Sequence, residues 1–519
     1  MTKPAPKLLV IALDAADGDL ILGWADDGHL PNLQRARQRG LLGRTRNPPG
    51  LYVGALWPSF FTGMSPSRHG RYCYEQILPA SYERRPFLPT HLKAPPFWEA
   101  LSRAGRRVAV VDVPKSPLTP GINGIQLCDW GTHDPAHGAG FETEPAELAR
   151  EVVARYGEDP VGSCDRIGQT DQALTGFRNG LINRIATRAK LCGELLEREN
   201  WDLFLTVFTE SHCVGHRLWH VHDPAHPGHD PAFASSLGDP VRDVYTAIDT
   251  AIGSLLERAG PDTTVLLLAS HGMGPHWSEP ALDRILLRWE DWKPGRLHRR
   301  SARWAGRIWD GAPAWATSRL SGPVSSLRRD MGLRRGHPKI PLRRSLLMPL
   351  LSDRKVFAVP NNDIFGAIQL NVVGREPRGR VRPGAESDAL FQQLRRDLLE
   401  LVNVETGTPV IRDLVRTADL YPGEDVRSLP DVLVEWDRSV PLTRCRSEKL
   451  GKFRSRHAGV RTGDHKPGGL FFAFGPGIEP GELSATSSIM DFAATAGALL
   501  GVPLPDIDGT PIAGVLGGR

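Results

Sequence analysis

LLVIAL at residues 8–13, six apolar residues in succession closed by Asp14, reads as a strand buried on both faces of a parallel sheet. A strand with one wet face would alternate apolar and polar residues, and this one does not. The same signature recurs: residues 107–111 lead to Asp112, LFLTVF at 203–208 runs into Thr209 and Glu210, TVLLL at 264–268 precedes Ser270 and His271, and GLFFAF at 469–474 follows His465. Helix-like stretches lie between them at 31–39, 97–104 and 185–199. Strands alternating with helices predict an α/β fold, a doubly wound, mostly parallel sheet flanked by helices.

In open sheets of this kind the ligand crevice lies beyond the carboxyl ends of the strands. Asp14, Glu210, His212, His216 and His271 fall just past such ends and therefore project toward one rim. Any one of them alone is explained as a capping or hydrogen-bonded polar residue; five past three strand ends point to a site. Four segments carry them: IALDAADG (11–18), TESHCVGHRLWH (209–220), LLLASHGMGP (266–275) and TGDHKPGGLFF (462–472). His212 and His216, four apart, share one helical face, with Glu210 close by. Gly272 and Gly274 let the backbone turn tightly beside His271, and His465 precedes a strand between Asp464 and Lys466. Histidine and carboxylate converging from separate strands is how hydrolases hold zinc or manganese. His133, in WGTHD, also follows a strand-like run, whereas His69, His220, His222, His226, His229 and His276 read as surface or structural residues.

The chain has 519 residues, long enough for two or three structural units or one large domain with insertions. Charged residues make up 24%, the composition of a globular protein rather than a disordered one. A formal charge of +5 permits contact with nucleic acid or an anionic membrane without arguing for it. Six scattered cysteines without a Cys-x-x-Cys pair fit a reducing compartment and count against a disulfide framework or a thiolate zinc site. With no leader-like apolar stretch at the start and no run of roughly 20 apolar residues, the expectation is a soluble cytoplasmic protein. Residues 284–355 differ in character: Trp289, Trp292, Trp304, Trp309 and Trp315 are interleaved with arginines and few acids. They read as a basic cap inserted between core parts 1–283 and 356–519. Such a cap suits an anionic substrate, an acidic partner or lipid headgroups; the other reading is a solvated lid whose tryptophans pack on the core. Strand-like 368–373 and 432–436 follow, then an amphipathic tail at 490–502 that closes the core.

The order Asp … Trp-x-x-Phe-x-Thr-Gly … Gly-His … His-Gly-Met … Gly-x-His is similar to that of the type I phosphodiesterase/nucleotide pyrophosphatase family, within the alkaline-phosphatase-like superfamily. WPSFFTGMSPSRHG (57–70), VDVPKSP near Asp112, PDVLVEWD near Asp431 and LLGVPLPDIDG near Pro503 resemble it too. The resemblance runs from Leu8 to the C-terminus and has no counterpart for the arginine-rich insertion. It implies a hydrolase site with two metal ions, usually zinc: one on His212, His216 and His465, the other on Asp14, Ser270 and His271, activating a Thr or Ser nucleophile. This chain departs from the family pattern in three places. His212 and Ser270 stand where the family has Asp, and the nucleophile position falls on Val53. Three accounts follow: Glu210 and a shifted hydroxyl such as Ser59 rebuild the site, a single metal activates water directly, or the site binds without turnover. The expected function is metal-dependent hydrolysis of a phosphodiester, phosphomonoester or sulfate ester. The competing classes are an inactive relative that binds an anionic ligand or a protein, and a transferase of a phosphoryl-linked group.

Overall fold

Residues 7–132, 140–276, 281–291, 353–362, 364–455 and 459–517 are described by a computed structural model of the protein. The first part of the chain runs β1 (Lys7–Leu13), α1 (Gly18–Asp26), α2 (Pro31–Arg39), β2 (Leu41–Arg46), α3 (Tyr52–Thr62), α4 (Phe97–Arg103), β3 (Val108–Val111), β4 (Gly124–Cys128), β5 (Glu142–Glu144), α5 (Asp171–Arg198), β6 (Leu203–Phe208), α6 (Glu210–His222), α7 (Pro240–Ala259), β7 (Thr263–Ala269) and β8 (Gly272–Pro275). A second lobe contains α8 (Leu282–Asp291), β9 (Val356–Val359), β10 (Phe365–Leu370), α9 (Ala385–Leu399), β11 (Ile411–Arg416) and β12 (Val432–Trp436). The chain then returns to the core with β13 (Gly463–Lys466), β14 (Gly469–Phe474), β15 (Gly481–Glu482), β16 (Ser487–Ser488) and α10 (Asp491–Leu499).

Among the described residues the central sheet has ten strands in the order β15-β2-β14-β7-β1-β6-β3-β4-β5, with β16 also beside β2. Its middle is parallel: β1 pairs in register with β6 and with β7, and β3 pairs with β6 and β4. β14 runs antiparallel to β2 and β7, and β5 is antiparallel to β4, so the sheet is mixed but mostly parallel. The unbroken apolar run of β1 is explained by its two faces. Leu9, Ile11 and Leu13 pack in one cluster with α1, α2, α5 and α7, while Leu8, Val10 and Ala12 pack in another with α3, α4 and α10. Covering both faces removes any reason for a polar residue in the strand. Among the described residues no helix is long and apolar enough to cross a membrane.

The second lobe is an antiparallel sheet, β9-β10-β12-β11, with its own core shared with α8 and α9. Trp289, expected in the cap, belongs to this core: it is buried and its indole N–H donates to Asp397 at 2.7 Å. Trp292, Trp304, Trp309, Trp315 and the expected cap arginines from Arg299 to Arg344 lie outside the described residues, as does His133. The lobe meets the core at the start of α3. Leu51, Ala55 and Tyr72 pack with Phe357, Ala367 and Leu433, and Asn361 and Tyr421 donate to the carbonyls of Gly50 and Pro49 at 3.0 and 2.8 Å. The lobe therefore walls one side of the strand ends.

Candidate metal centre

The strand ends converge as the parallel sheet requires. β6 stops at Phe208, Thr209 caps the turn, and α6 starts at Glu210. One helical turn later His212 and His216 face the same way, their ring centroids 4.6 Å apart. β8 and β13 form a two-stranded ribbon in which Met273 lies opposite His465, which carries His465 to the same place. Close packing makes this possible, because a Cβ on Gly463 would meet the Gly215 carbonyl oxygen at 2.2 Å. Only glycine lets β13 approach α6 so closely. The nearest ligand atoms of His212, His216 and His465 all lie within 4.8 Å of one another.

The hydrogen bonds set the tautomers of two of these rings. His212 Nδ1 is 2.7 Å from Asp14 Oδ2, and His216 Nδ1 is 2.7 Å from the Gly463 carbonyl oxygen. Both partners are acceptors, so each Nδ1 carries a proton, and the neutral ring then presents the Nε2 lone pair. Burial, with Arg461 and His212 adding to it, holds the His216 pKa well below the usual imidazole value. Burial likewise lowers that of His465. The third ring exposes a conflict. His465 Nε2 lies 3.1 Å from His212 Nε2, while His465 Nδ1 is 3.2 Å from Asp464 Oδ1. A proton on Nε2 would turn the Nδ1 lone pair toward the Asp464 carboxylate. A proton on His212 Nε2 or a cation among the three Nε2 atoms removes the conflict, either one leaving His465 Nδ1–H to face Asp464. Three imidazoles, two of them fixed by partners on the far ring nitrogen, suit a divalent ion such as zinc.

Asp14, Ser270 and His271 form a second group at the ends of β1 and β7. Asp14 Oδ1 accepts the Trp57 indole N–H at 2.8 Å, so both its oxygens have partners. Ser270 Oγ lies 3.5 Å from Asp14 Oδ1 and 2.9 Å from His271 Nδ1, and it accepts from the Ala15 amide at 3.2 Å. His271 Nε2 is buried without a partner among the described residues, and burial, with His465 adding to it, lowers the His271 pKa to about 3. With one carboxylate, already engaged twice, this group makes a weaker cation site than the triad.

Two expected site residues point elsewhere. Glu210 is fully buried, but Arg184 Nε donates to it at 2.7 Å and Arg188 Nη2 lies 3.6 Å away, so its carboxylate answers two buried arginines of α5. Ser59 is also fully buried, and its Oγ lies 3.0 Å from His69 Nε2. His69 Nδ1 accepts the Arg71 amide at 3.1 Å, which places the His69 proton on Nε2, donating to Ser59. That ring cannot take a proton from Ser59. Three residues the sequence reading passed over stand at the site. Tyr52 donates to the His465 carbonyl at 3.4 Å with its ring 6.0 Å from that of His271. Lys115 donates to the Val53 carbonyl at 2.8 Å, and Arg461 Nη1 is 3.4 Å from His216 Nε2. Lys115 lies in the quoted VDVPKSP and Arg461 one residue before TGDHKPGG, so their closeness to known motifs was the signal available.

The family model for type I phosphodiesterase/nucleotide pyrophosphatase matches residues 8–327. The chain belongs to that family. Among solved structures, this type I phosphodiesterase-family chain is similar to phosphonoacetate hydrolase from Sinorhizobium meliloti 1021 in complex with phosphonoformate, with a TM-score of 0.51, 14% identity and 96% of each chain covered. The same hydrolase in complex with phosphonoacetate matches equally. Murine ectonucleotide pyrophosphatase/phosphodiesterase 5, in an inactive form with AMP, aligns over 97% of each chain at 11% identity and a TM-score of 0.49. At such identities the first likeness shows a shared alkaline-phosphatase-like fold. No curated protein matches the family member by sequence.

Proposed function

We propose that this protein is a metal-dependent phosphoester hydrolase that works with one divalent ion, zinc or manganese, held by His212, His216 and His465. The observation that carries the reading is the convergence of three imidazoles with the His212 and His216 protons turned outward, toward Asp14 and the Gly463 carbonyl. Membership of a family of phosphodiesterases and nucleotide pyrophosphatases supports an anionic phosphorus ester as the substrate class. A bound ion supplies Lewis acidity toward a phosphoryl oxygen and lowers the pKa of water. The chain's own residues do the positioning. Asp14 orients His212, the Gly463 carbonyl orients His216, and Trp57 holds Asp14. With Val53 at the family's nucleophile position and Ser59 turned to His69, water is the nucleophile in this reading.

The missing hydroxyl at position 53 also supports a second reading, an anion-binding relative without turnover. Hydrolysis of bis(p-nitrophenyl) phosphate by chelator-stripped protein, before and after reloading with zinc or manganese, separates the two. The hydrolase reading predicts activity that vanishes on stripping and returns on reloading. Absence of hydrolysis with either metal, alongside saturable phosphate binding, would establish the second.

A further inference from the structure

Arg461 precedes β13, and its guanidinium is fixed from outside the triad. Nε and Nη2 donate to the two carboxylate oxygens of Asp165 at 3.0 and 2.7 Å. The segment carrying Asp165 is itself clamped to α6. Arg217, next to His216, donates to the carbonyls of Cys164, Ile167 and Gly168 at 2.5, 2.9 and 3.2 Å. This bracing leaves Nη1 directed at the triad, 3.4 Å from His216 Nε2. The Arg461 side chain as a whole is 35% exposed.

A guanidinium in that place suits a cation site only when an anion joins them. Nη1–H faces the lone pair that His216 offers to a metal ion, and the two positive charges repel at close range. Once that lone pair is taken, Nη1 needs another acceptor, and an oxygen of a phosphorus ester bound at the triad meets the need while screening the repulsion. Arginine held by a carboxylate on one edge and open on the other is well formed for phosphate recognition.

We infer that Arg461 anchors an anionic oxygen of the substrate beside the histidine triad, with Asp165 as the residue that positions it. The inference rests on the proposed metal site and adds the group that selects an anion there. It applies to inorganic phosphate as well as to phosphoesters, because both present the same oxygens.

Titration of the full-length, zinc-loaded protein with inorganic phosphate by calorimetry, alongside zinc content per chain, tests this in wild type, Arg461→Gln and Asp165→Asn. Arg461→Gln is expected to keep its zinc and to bind phosphate about tenfold more weakly or worse, the usual effect of losing a charged hydrogen bond. Asp165→Asn keeps the guanidinium but loosens it, so a smaller loss is expected. Phosphate affinity within twofold of wild type in zinc-replete Arg461→Gln overturns the inference, and so does loss of zinc from that variant, which would tie Arg461 to the metal rather than to the anion. A wild-type protein that takes up no zinc removes the metal reading instead. Phosphate titration of the metal-free protein then decides the inference: binding that depends on Arg461 upholds it, and its absence overturns it.

Discussion

Asp14 has one oxygen on the Trp57 indole and the other on His212 Nδ1, so it acts on the centre through a ring rather than through open lone pairs. Removing such an outer partner commonly costs 10–100-fold in metal affinity. Asp14→Ala should therefore weaken zinc binding by roughly that factor without abolishing it, measured by chelator competition. Wild-type affinity in this variant would show that His212 needs no carboxylate. The histidines at this scale were legible because residues four apart on a helix that starts at a strand end have little choice of direction. The roles of Glu210 and Ser59 were not. Their partners, Arg184, Arg188 and His69, sit on other helices and look in the sequence like solvated charge or a surface histidine.

At the scale of elements, the joint between α5, β3 and α6 is held by buried charge. Arg188 Nη1 is 2.6 Å from Asp112 Oδ2 and Arg184 Nε is 2.7 Å from Glu210 Oε1, all four side chains being fully buried. Asp112 also accepts the amides of Trp130 and Gly131, both at 2.9 Å, which ties the loop after β4 into the same joint. Deleting Glu210 takes the closest carboxylate from Arg184, leaving it Asp159 at 3.3 Å, and leaves Arg188 with Asp112, so the cost falls below the roughly 3–5 kcal/mol of a fully unpaired buried charge, at about 1–3 kcal/mol. Glu210→Ala should lose stability of this size in urea denaturation while keeping metal. A variant of ordinary stability that lost its metal would return Glu210 to the ligand set. Strands were the most legible elements, since β1, β6, β7 and β14 are bounded by abrupt changes from apolar to polar residues. The antiparallel direction of β14 was hidden, because an apolar run carries no sign of its orientation.

For the molecule as a whole, histidines with lowered pKa values, the buried His69 and the half-buried His220, predict how stability responds to acid. Burial, reinforced by Arg71, lowers the His69 pKa from 6.5 to about 3, and burial with His226 nearby lowers that of His220 from 6.5 to about 4. The unfolded chain takes up these protons near pH 6.5 and the folded chain does not. Their contribution is therefore fully present above pH 6.5 and falls progressively toward pH 4 and 3. Urea midpoints should decline across that window, and more gently in His69→Gln; a flat profile in the wild type would contradict the assignment. The two-lobed plan was only partly legible. The change of composition near residue 284 was visible, but α8 carries Trp289 into the second lobe's core, and its burial there depends on α9, about 100 residues downstream. The central claim, one metal ion on His212, His216 and His465, is tested most directly by zinc per chain after stripping and reloading, in wild type, His216→Ala and His465→Ala. The account predicts one equivalent in the wild type and none in either variant, with both variants folded. Zinc retained by both variants, or a wild type that takes up none, would contradict it.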